Sequence, residues 1–439
     1  MRQKHTTQPS IFLFQPEHEI SHYLACIDGW LNQHPVLLDW VNDDLYPEHK
    51  PTQGRIGMSC EQILRCALVM QYRQCSYREL VFILADSLCF QHFTRIDPLK
   101  VPGKSVLQAN ISCIRPQTWE RMNQHFVRNM MVSGFETGDR LRIDSTVTDS
   151  HILLPADSRL LYDAIRLMAR WLKRTKDKTG VVYVNHCRRA KRLSFAIHSA
   201  NNKELRRKCY KILLNDVDAT RNCLAETLKV LKIQGLETVW VTRIEALLPL
   251  VEQVMSQATR RVMQGERVPA GEKVVSLFEA HTDIIKKGGR EVQYGHKINL
   301  TSGRRGLIYD VVIERGNPAD RIKLLPMLKR HKEIYGRLPV DVAADGGYAS
   351  KDNLIEAKSM GITHVAFHKR VNLSIEEMTG DTWLYRELRN FRAGIEAGIS
   401  YLKRCFGLKR IYWKGWEHFK ASVYLSIFTH NLIRWARAP

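Results

Sequence analysis

Three carboxylates stand where chemistry could be placed. Asp144 closes the alternating run RLRID, Asp345 closes VDVAAD directly before Gly346 and Gly347, and Glu396 lies within LYRELRNFRAGIEAGISYLKRCF. An aspartate at the carboxyl end of a strand in an open α/β sheet lies where such sheets place their sites. The paired glycines after Asp345 are expected to allow a sharp backbone turn. At 100° per residue, Leu384, Leu388, Phe391, Ile395, Ile399, Leu402 and Phe406 share one helical arc about 80° wide. Arg389, Arg392, Glu396 and Lys403 share an adjoining arc about 60° wide, with Tyr385 inside it. One flank of this helix is read as buried and the other as a carboxylate set among cations. Convergent carboxylates are what a pair of Mg²⁺ ions about 3.5–4 Å apart requires, with a phosphate completing their shells. Neighbouring Arg and Lys side chains are the groups that hold phosphates in place.

The elements that must position these residues can be read from periodicity. Residues 1–135 are read as an all-α N-terminal domain, of a size that suits DNA-end binding or dimerisation and equally a plain helical bundle. Two capping boxes open successive helices there, Ser59 with Gln62 and Ser76 with Glu79, and a further helix runs through TWERMNQHFVRNMM. RLRIDSTVTDSHI is β-branched and alternating, hence a strand. Residues 156–272 are read as a basic helical insert. Its first helix carries the apolar face Leu160, Leu161, Ala164, Ile165, Met168, Trp171 and Leu172, and a further long helix covers about 242–264. From Lys273 the period returns to two, predicting KVVSLFEA, HKINLTSG and GLIYDVVIERG as successive strands. Then follow a helix over about 319–335, the strand LPVDVAADGG, a helix from Ser350, the strand THVAFHK and a long helix from about 384. With the insert removed, leading strands followed by alternating helix and strand give the order of a ribonuclease H-like α/β domain, over 136–155 and 273–437.

Charge points the same way. The chain carries 67 Lys plus Arg against 45 Asp plus Glu, a formal net charge of +22. Residues 1–139 hold 13 basic and 14 acidic side chains, residues 140–272 hold 25 and 14, and residues 273–439 hold 29 and 17. The whole excess therefore lies in the insert and the catalytic segments, as expected of a surface for a polyanion, most naturally nucleic acid. Arg170, Lys173, Arg174, Arg188 and Arg189 of the insert are expected to follow the DNA backbone. At 44% hydrophobic and 26% charged the composition is globular, which excludes a largely disordered chain. Apolar runs such as LVFILA are core-sized rather than membrane-spanning, and MRQKHTTQPSIFLF lacks the apolar centre of a secretory leader, so a cytoplasmic protein with no membrane partner is expected. The ten cysteines include no CxxC pair or zinc-type spacing and are read as free thiols.

These residues resemble a known family. The sequence is similar to DDE transposases of bacterial insertion sequences, in the group whose last motif reads Tyr-x2-Arg-x3-Glu-x6-Lys, and its overall pattern resembles an unclassified insertion-sequence type. Arg392, Glu396 and Lys403 match that motif, Asp144 in RIDSTVTDSH and Asp345 in ADGGYAS match the two aspartate motifs, and HNLIRW resembles the closing helix. The motif's Tyr position is Arg389 here, and Tyr385 stands one turn earlier on the same face. The resemblance implies that Asp144, Asp345 and Glu396 are catalytic and hold two Mg²⁺, or Mn²⁺, for phosphodiester hydrolysis at transposon ends. The freed 3′-OH would then attack target DNA. Arg389, Arg392 and Lys403 would contact DNA, and the synaptic complex would contain a homodimer on double-stranded DNA. A nuclease of the same fold that never joins strands, or a non-catalytic DNA-binding relic, are the alternatives. Of the remaining groups, Asp149 is read as a turn residue ahead of a role in supporting the site, Asp341 as sharing a strand face with Asp345 and supporting it, Asp310 as structural, and Lys297 as a strand residue beside the site for which a DNA contact is the lesser reading. His151, His281 and His296 show no metal spacing.

Overall fold

The computed structural model describes residues 4, 17–46, 57–235, 239–286, 291–368 and 372–438; most of the opening segment MRQKHTTQPSIFLF lies outside them. The described residues form two compact units, one of residues 1–149 with 297–439 and one of residues 150–296.

The first unit begins with seven helices: α1 (Glu19–Gln33), α2 (Val36–Leu45), α3 (Cys60–Arg73), α4 (Tyr77–Asp86), α5 (Leu88–Thr94), α6 (Lys104–Ile111) and α7 (Pro116–Val132). Both expected capping boxes form, at Ser59 and Ser76. β1 (Arg140–Ser150) follows. The second unit holds α8 (Asp157–Thr179), α9 (Cys187–Ser199), α10 (Lys203–Ile233) and α11 (Val239–Ala258), then β2 (Asp283–Ile285) and the start of β3 (Gln293–Ser302). All seven residues of the expected apolar face of α8 are buried. The chain then returns to the first unit through β4 (Ile308–Ile313), α12 (Leu324–Tyr335), β5 (Asp341–Ala344), α13 (Lys351–Ser359), β6 (His364–Phe367), α14 (Ile375–Met378), α15 (Thr382–Cys405), β7 (Arg410–Ile411) and α16 (Trp416–Ala436).

The strands make one mixed sheet in the order β2–β3–β1–β5–β6, with β4 paired to β3 and β7 paired to β1. β1, β5 and β6 are parallel, while β3 and β4 are antiparallel. One expected strand is corrected. KVVSLFEA does not pair, because the Ser276 hydroxyl accepts the backbone N–H groups of Phe278 and Glu279, at 3.2 and 3.1 Å, and turns the chain. Only Asp283–Ile285 reaches β3.

The expected N-terminal domain of residues 1–135 is not a separately packed body. Helix α16 lies against α1, α3 and α7, so the early helices and the late ones share one core. Asn431 is the polar bracket of that core. Its amide donates to Asn123 on α7 and to the Ile308 carbonyl, both at 2.7 Å, and its oxygen accepts the Ile308 N–H at 2.9 Å. A strand end that would otherwise be buried with open hydrogen-bond groups is thereby satisfied by one side chain.

Two histidines in this unit are buried without charge. His331 on α12 is closed off between Tyr309 and Tyr335, and neither ring nitrogen has a hydrogen-bond partner. Burial lowers its pKa to about 4, and burial likewise lowers that of His430 on α16 to about 4. In the unfolded chain both would protonate near 6.5. Their contribution to stability is therefore complete above pH 6.5 and is lost as pH falls from there toward 4. Urea midpoints measured between pH 7 and 4 should fall with decreasing pH. In His331→Phe the unfolding free energy should fall less steeply with decreasing pH, by up to about 1.4 kcal/mol per pH unit, one proton's worth; an unchanged slope would show that His331 takes up its proton alike in the folded and the unfolded chain.

Candidate functional site

β1 and β5 run parallel in step, with Arg140 opposite Asp341 and Ile143 opposite Ala344. The next residue on each is an aspartate, so register alone brings Asp144 and Asp345 side by side. The third carboxylate arrives on α15. Asp381 caps this helix by accepting the N–H groups of Trp383 and Leu384 at 3.2 and 3.0 Å, and those two bonds hold its carboxyl below the usual range. The apolar arc expected along α15 packs into the core. Tyr385 is buried and donates to the Phe367 carbonyl at 2.9 Å, fixing the start of the helix to the end of β6.

What joins the three carboxylates is Arg392. Its Nη2 lies 2.9 Å from Asp144 Oδ2 and 3.6 Å from Asp345 Oδ1, and its Nη1 lies 2.8 Å from Glu396 Oε1. The side chains of Arg392 and Asp144 are each 8% exposed, that of Asp345 is 35% and that of Glu396 is 60%. The cluster therefore opens from a buried floor at Asp144 to solvent at Glu396. Asp144 also accepts the Ser145 N–H at 2.7 Å. Arg392 Nε is buried with no hydrogen-bond partner, so the guanidinium is committed on its two terminal nitrogens only.

Beneath the site, groups that no sequence motif marked fix its walls. Tyr348 is fully buried and donates to Asn299 at 2.8 Å; Asn299 donates to Glu314 at 2.8 Å, and Glu314 pairs with Lys323 at 2.6 Å. Burial, then the charges of Asp320 and Asp144, push the Tyr348 phenol well above its ordinary range. Arg142, two residues before Asp144, donates to Ser302 on β3 at 2.7 Å and to the Phe391 carbonyl on α15 at 2.9 Å. Burial lowers its pKa. It passes where a β-carbon on Gly394 would stand 2.1 Å from its Nη1. A glycine inside a helix gave a faint signal of this close approach; the partner, 252 positions away, gave none.

The remaining expected groups take these places. Neither Gly346 nor Gly347 has a positive φ. Gly347 is required for space, because a β-carbon there would lie 3.0 Å from Asp320 Oδ2. Asp341 occupies the opposite end of β5 from Asp345, bound to Arg140 at 2.7 Å and His364 at 2.8 Å. Lys297 is buried and holds Asp320 at 2.6 Å and the Pro318 carbonyl at 2.8 Å, so it presents nothing to a ligand. Asp310 is structural, paired with Arg330 at 2.6 and 3.1 Å. His281 and His296 bond to each other at 2.8 Å, with Glu279 and Asp283 on their outer nitrogens at 2.9 and 3.0 Å.

The cations divide into two groups. Arg389 is exposed over the Tyr385 ring, at 5.7 Å. Lys403, half-buried, acts with Arg410 and Lys409 on Asp149, whose carboxyl is nonetheless raised because burial outweighs them. Lys403 thus acts on the far end of β1. In the second unit Arg170, Lys173, Arg174 and Arg188 are exposed. Arg189 is spent on the buried Asp216, with Nε at 2.7 Å, and ties α9 to α10.

Hard carboxylate oxygens suit Mg²⁺ or Mn²⁺, so the donor chemistry fits such an ion. Among the described residues, though, no three Asp, Glu, His or Cys side chains already enclose a point for one. Arg392 Nη2 holds the space between Asp144 and Asp345 and supplies the positive charge there.

Residues 273–432 match the family model described as Transposase DDE domain, a stretch that includes Asp345 and Glu396 but not Asp144. The match covers a little over a third of the chain. No curated protein and no solved structure matches it. A transposase DDE domain implies a ribonuclease H-like fold, and the mixed sheet flanked by helices agrees. No helix among the described residues is long and apolar enough to cross a membrane.

Gly394 provides a direct test of this packing. Alanine is the better helix former by about 1 kcal/mol, yet Gly394→Ala should destabilise the protein by about 1–3 kcal/mol, because Arg142 must leave its place between β1 and α15. Denaturant unfolding of the variant measures this. A stabilised variant would mean that Arg142 gives way freely.

Proposed function

We propose that this protein is a DNA transposase that cuts the phosphodiester at the ends of a mobile element and joins the freed 3′-OH to target DNA. The observation that carries this reading is the convergence of Asp144, Asp345 and Glu396 on the Arg392 guanidinium, with the two aspartates following paired residues on the neighbouring strands β1 and β5. The match to a transposase DDE domain supports it independently. Asp144, Asp345 and Glu396 would hold Mg²⁺ or Mn²⁺, which when bound supplies water activation and stabilisation of the leaving oxygen.

The rest falls to the chain's own side chains. Arg392 orients Asp144 and balances the negative charge of the trio, and its planar fork suits a phosphate as well as it suits carboxylates. Arg389, exposed on the same helix, and Lys403, at the end of β1, are placed to contact the backbone of a bound strand. Tyr385 anchors the helix and takes no part in the chemistry. Arg170, Lys173, Arg174 and Arg188 give the second unit an exposed cationic surface for duplex backbone. Arg189 does not belong to that set, because Asp216 already neutralises it. Bringing two ends together calls for two copies of the chain.

The deciding experiment uses a plasmid holding the gene with its native flanking DNA. Wild-type protein in Mg²⁺ should release the element and join it to a second plasmid. Asp144→Asn, Asp345→Asn and Glu396→Gln should each lose about a hundred- to thousandfold in joining, the range seen when one such electrostatic group is removed from an active site; Asp345→Asn and Glu396→Gln, at the solvent side of the cluster, should melt close to the wild type, while Asp144→Asn, which takes the charge from the buried partner of Arg392, should melt lower. Equal joining by these variants would end the assignment, and nicking without joining would make the protein a nuclease. Separately, replacing Arg170, Lys173, Arg174 and Arg188 with Gln should flatten the slope of log K against log salt by about 0.9 for each DNA phosphate that the protein no longer neutralises. Filter binding between 50 and 300 mM salt reads this, and an unchanged slope would make the second unit scaffold.

A further inference from the structure

A cavity of about 870 Å³ lies within the first unit, away from the carboxylates. One wall comes from the early helices, at the end of α3 and the start of α4, and the other from the segment 407–422 around β7 and the start of α16. Two aromatic rings meet across it. Tyr77 on α4 and Trp413 just after β7 are 26° from parallel, with ring centroids 6.4 Å apart. Arg410, Lys414 and His418 also line the cavity, and Tyr412 at its mouth is 65% exposed. The acidic lining residue, Glu79, is already used, accepting the Ser76 N–H at 2.7 Å in the capping box. Aromatic faces with cations beside them are how proteins hold single nucleotides: the rings take any base by stacking, and the cations take the phosphate.

The cavity is coupled to the carboxylates through one strand. β7 pairs with β1, and Arg410 lies 3.7 Å from Asp149, five residues beyond Asp144 on β1. Five residues of strand span about 17 Å, the length of about five nucleotide steps along one strand of DNA. Arg410, Lys403 and Lys409 all act on Asp149, at the cavity end of that stretch.

We infer that this cavity is a binding site for an unstacked nucleobase of the DNA strand that passes the carboxylates, with Trp413 as its stacking platform and Tyr77 as the opposing wall. The inference rests on the reading of the protein as a DNA-processing enzyme and assigns it a second contact that is independent of the chemistry. It explains why a helix pair of the near-neutral N-terminal segment packs beside the catalytic sheet: that pair contributes half of the pocket.

The test measures binding by the full-length protein in EDTA, where no cleavage occurs. Two probes are compared, a blunt 20-bp duplex and the same duplex with a five-nucleotide single-stranded extension carrying 2-aminopurine at each position in turn. The extension should tighten binding about tenfold, and 2-aminopurine at one position should be quenched by stacking. Trp413→Ala should abolish both effects while leaving blunt-duplex affinity within about twofold, which also shows that the variant is folded. Trp413→Phe should retain most of the gain, and Tyr77→Leu should lose part of it. If blunt duplex binds but the extension adds nothing, or if Trp413→Ala keeps the gain, the pocket assignment fails and the transposase reading stands. If neither probe binds, both readings fail.

Discussion

Arg392 is the constraint on which the site depends. One guanidinium faces three carboxylates that would otherwise repel one another across a few ångströms. Repulsion between like charges in a partly buried site is worth several kcal/mol, so the trio can be held together only while a cation sits among them. The guanidinium is itself buried, and a buried charge left without its partner costs about 3–5 kcal/mol. Each side of the interaction therefore enforces the other. This explains why the elements that deliver these residues are tied so firmly: Tyr385 to the end of β6, Asp381 to the first turn of α15, and Arg142 across β1, β3 and α15 at once.

Those ties settle which glycines can be replaced. Gly394 weakens α15 as a helix, yet it is the opening through which Arg142 links the helix to the strand carrying Asp144. Gly347 serves the same end on the other wall, letting Asp320, held by Lys297, approach the turn that follows Asp345. In both places a small residue gives up local preference so that a charged side chain can lie under the site. The strain falls on space rather than on backbone dihedrals, since neither glycine has a positive φ.

Much of this was legible in the sequence because it is local. The arc of apolar residues on α15, the two capping boxes and the apolar face of α8 depend on spacings of three and four residues, and all three appear in the structure. The three carboxylates stood out because each ends or rides on an element with its own clear period. What was not legible depends on partners far apart in the chain. Nothing near Arg189 announces Asp216, nothing near Lys297 announces Asp320, and the bond between His281 and His296 needs β2 and β3 to be paired first. KVVSLFEA shows the converse failure. Its alternation is that of a strand, but a single serine hydroxyl captures two backbone N–H groups and no edge is left to pair.

The charge distribution acquires a sharper meaning once spent and exposed cations are separated. Arg142, Arg189, Lys297, Lys323, Arg330 and Arg392 all count toward +22, yet each is consumed in pairing within the fold. The positive surface that can meet a polyanion is therefore smaller and more localised than composition implies. It includes the exposed side chains of α8, α9 and the start of α10 in one unit and, in the other, Arg389 and the Lys403, Lys409 and Arg410 group along the end of β1. The last of these is the more telling. β1 carries Asp144 at one position and Asp149, ringed by those cations, five residues later. A strand paired within a sheet has a fixed rise per residue, so the distance between Asp144 and that cationic end is set by backbone geometry. A polymer with a regular charge spacing is the natural match for such a ruler, and a small phosphorylated metabolite would have no use for its far end.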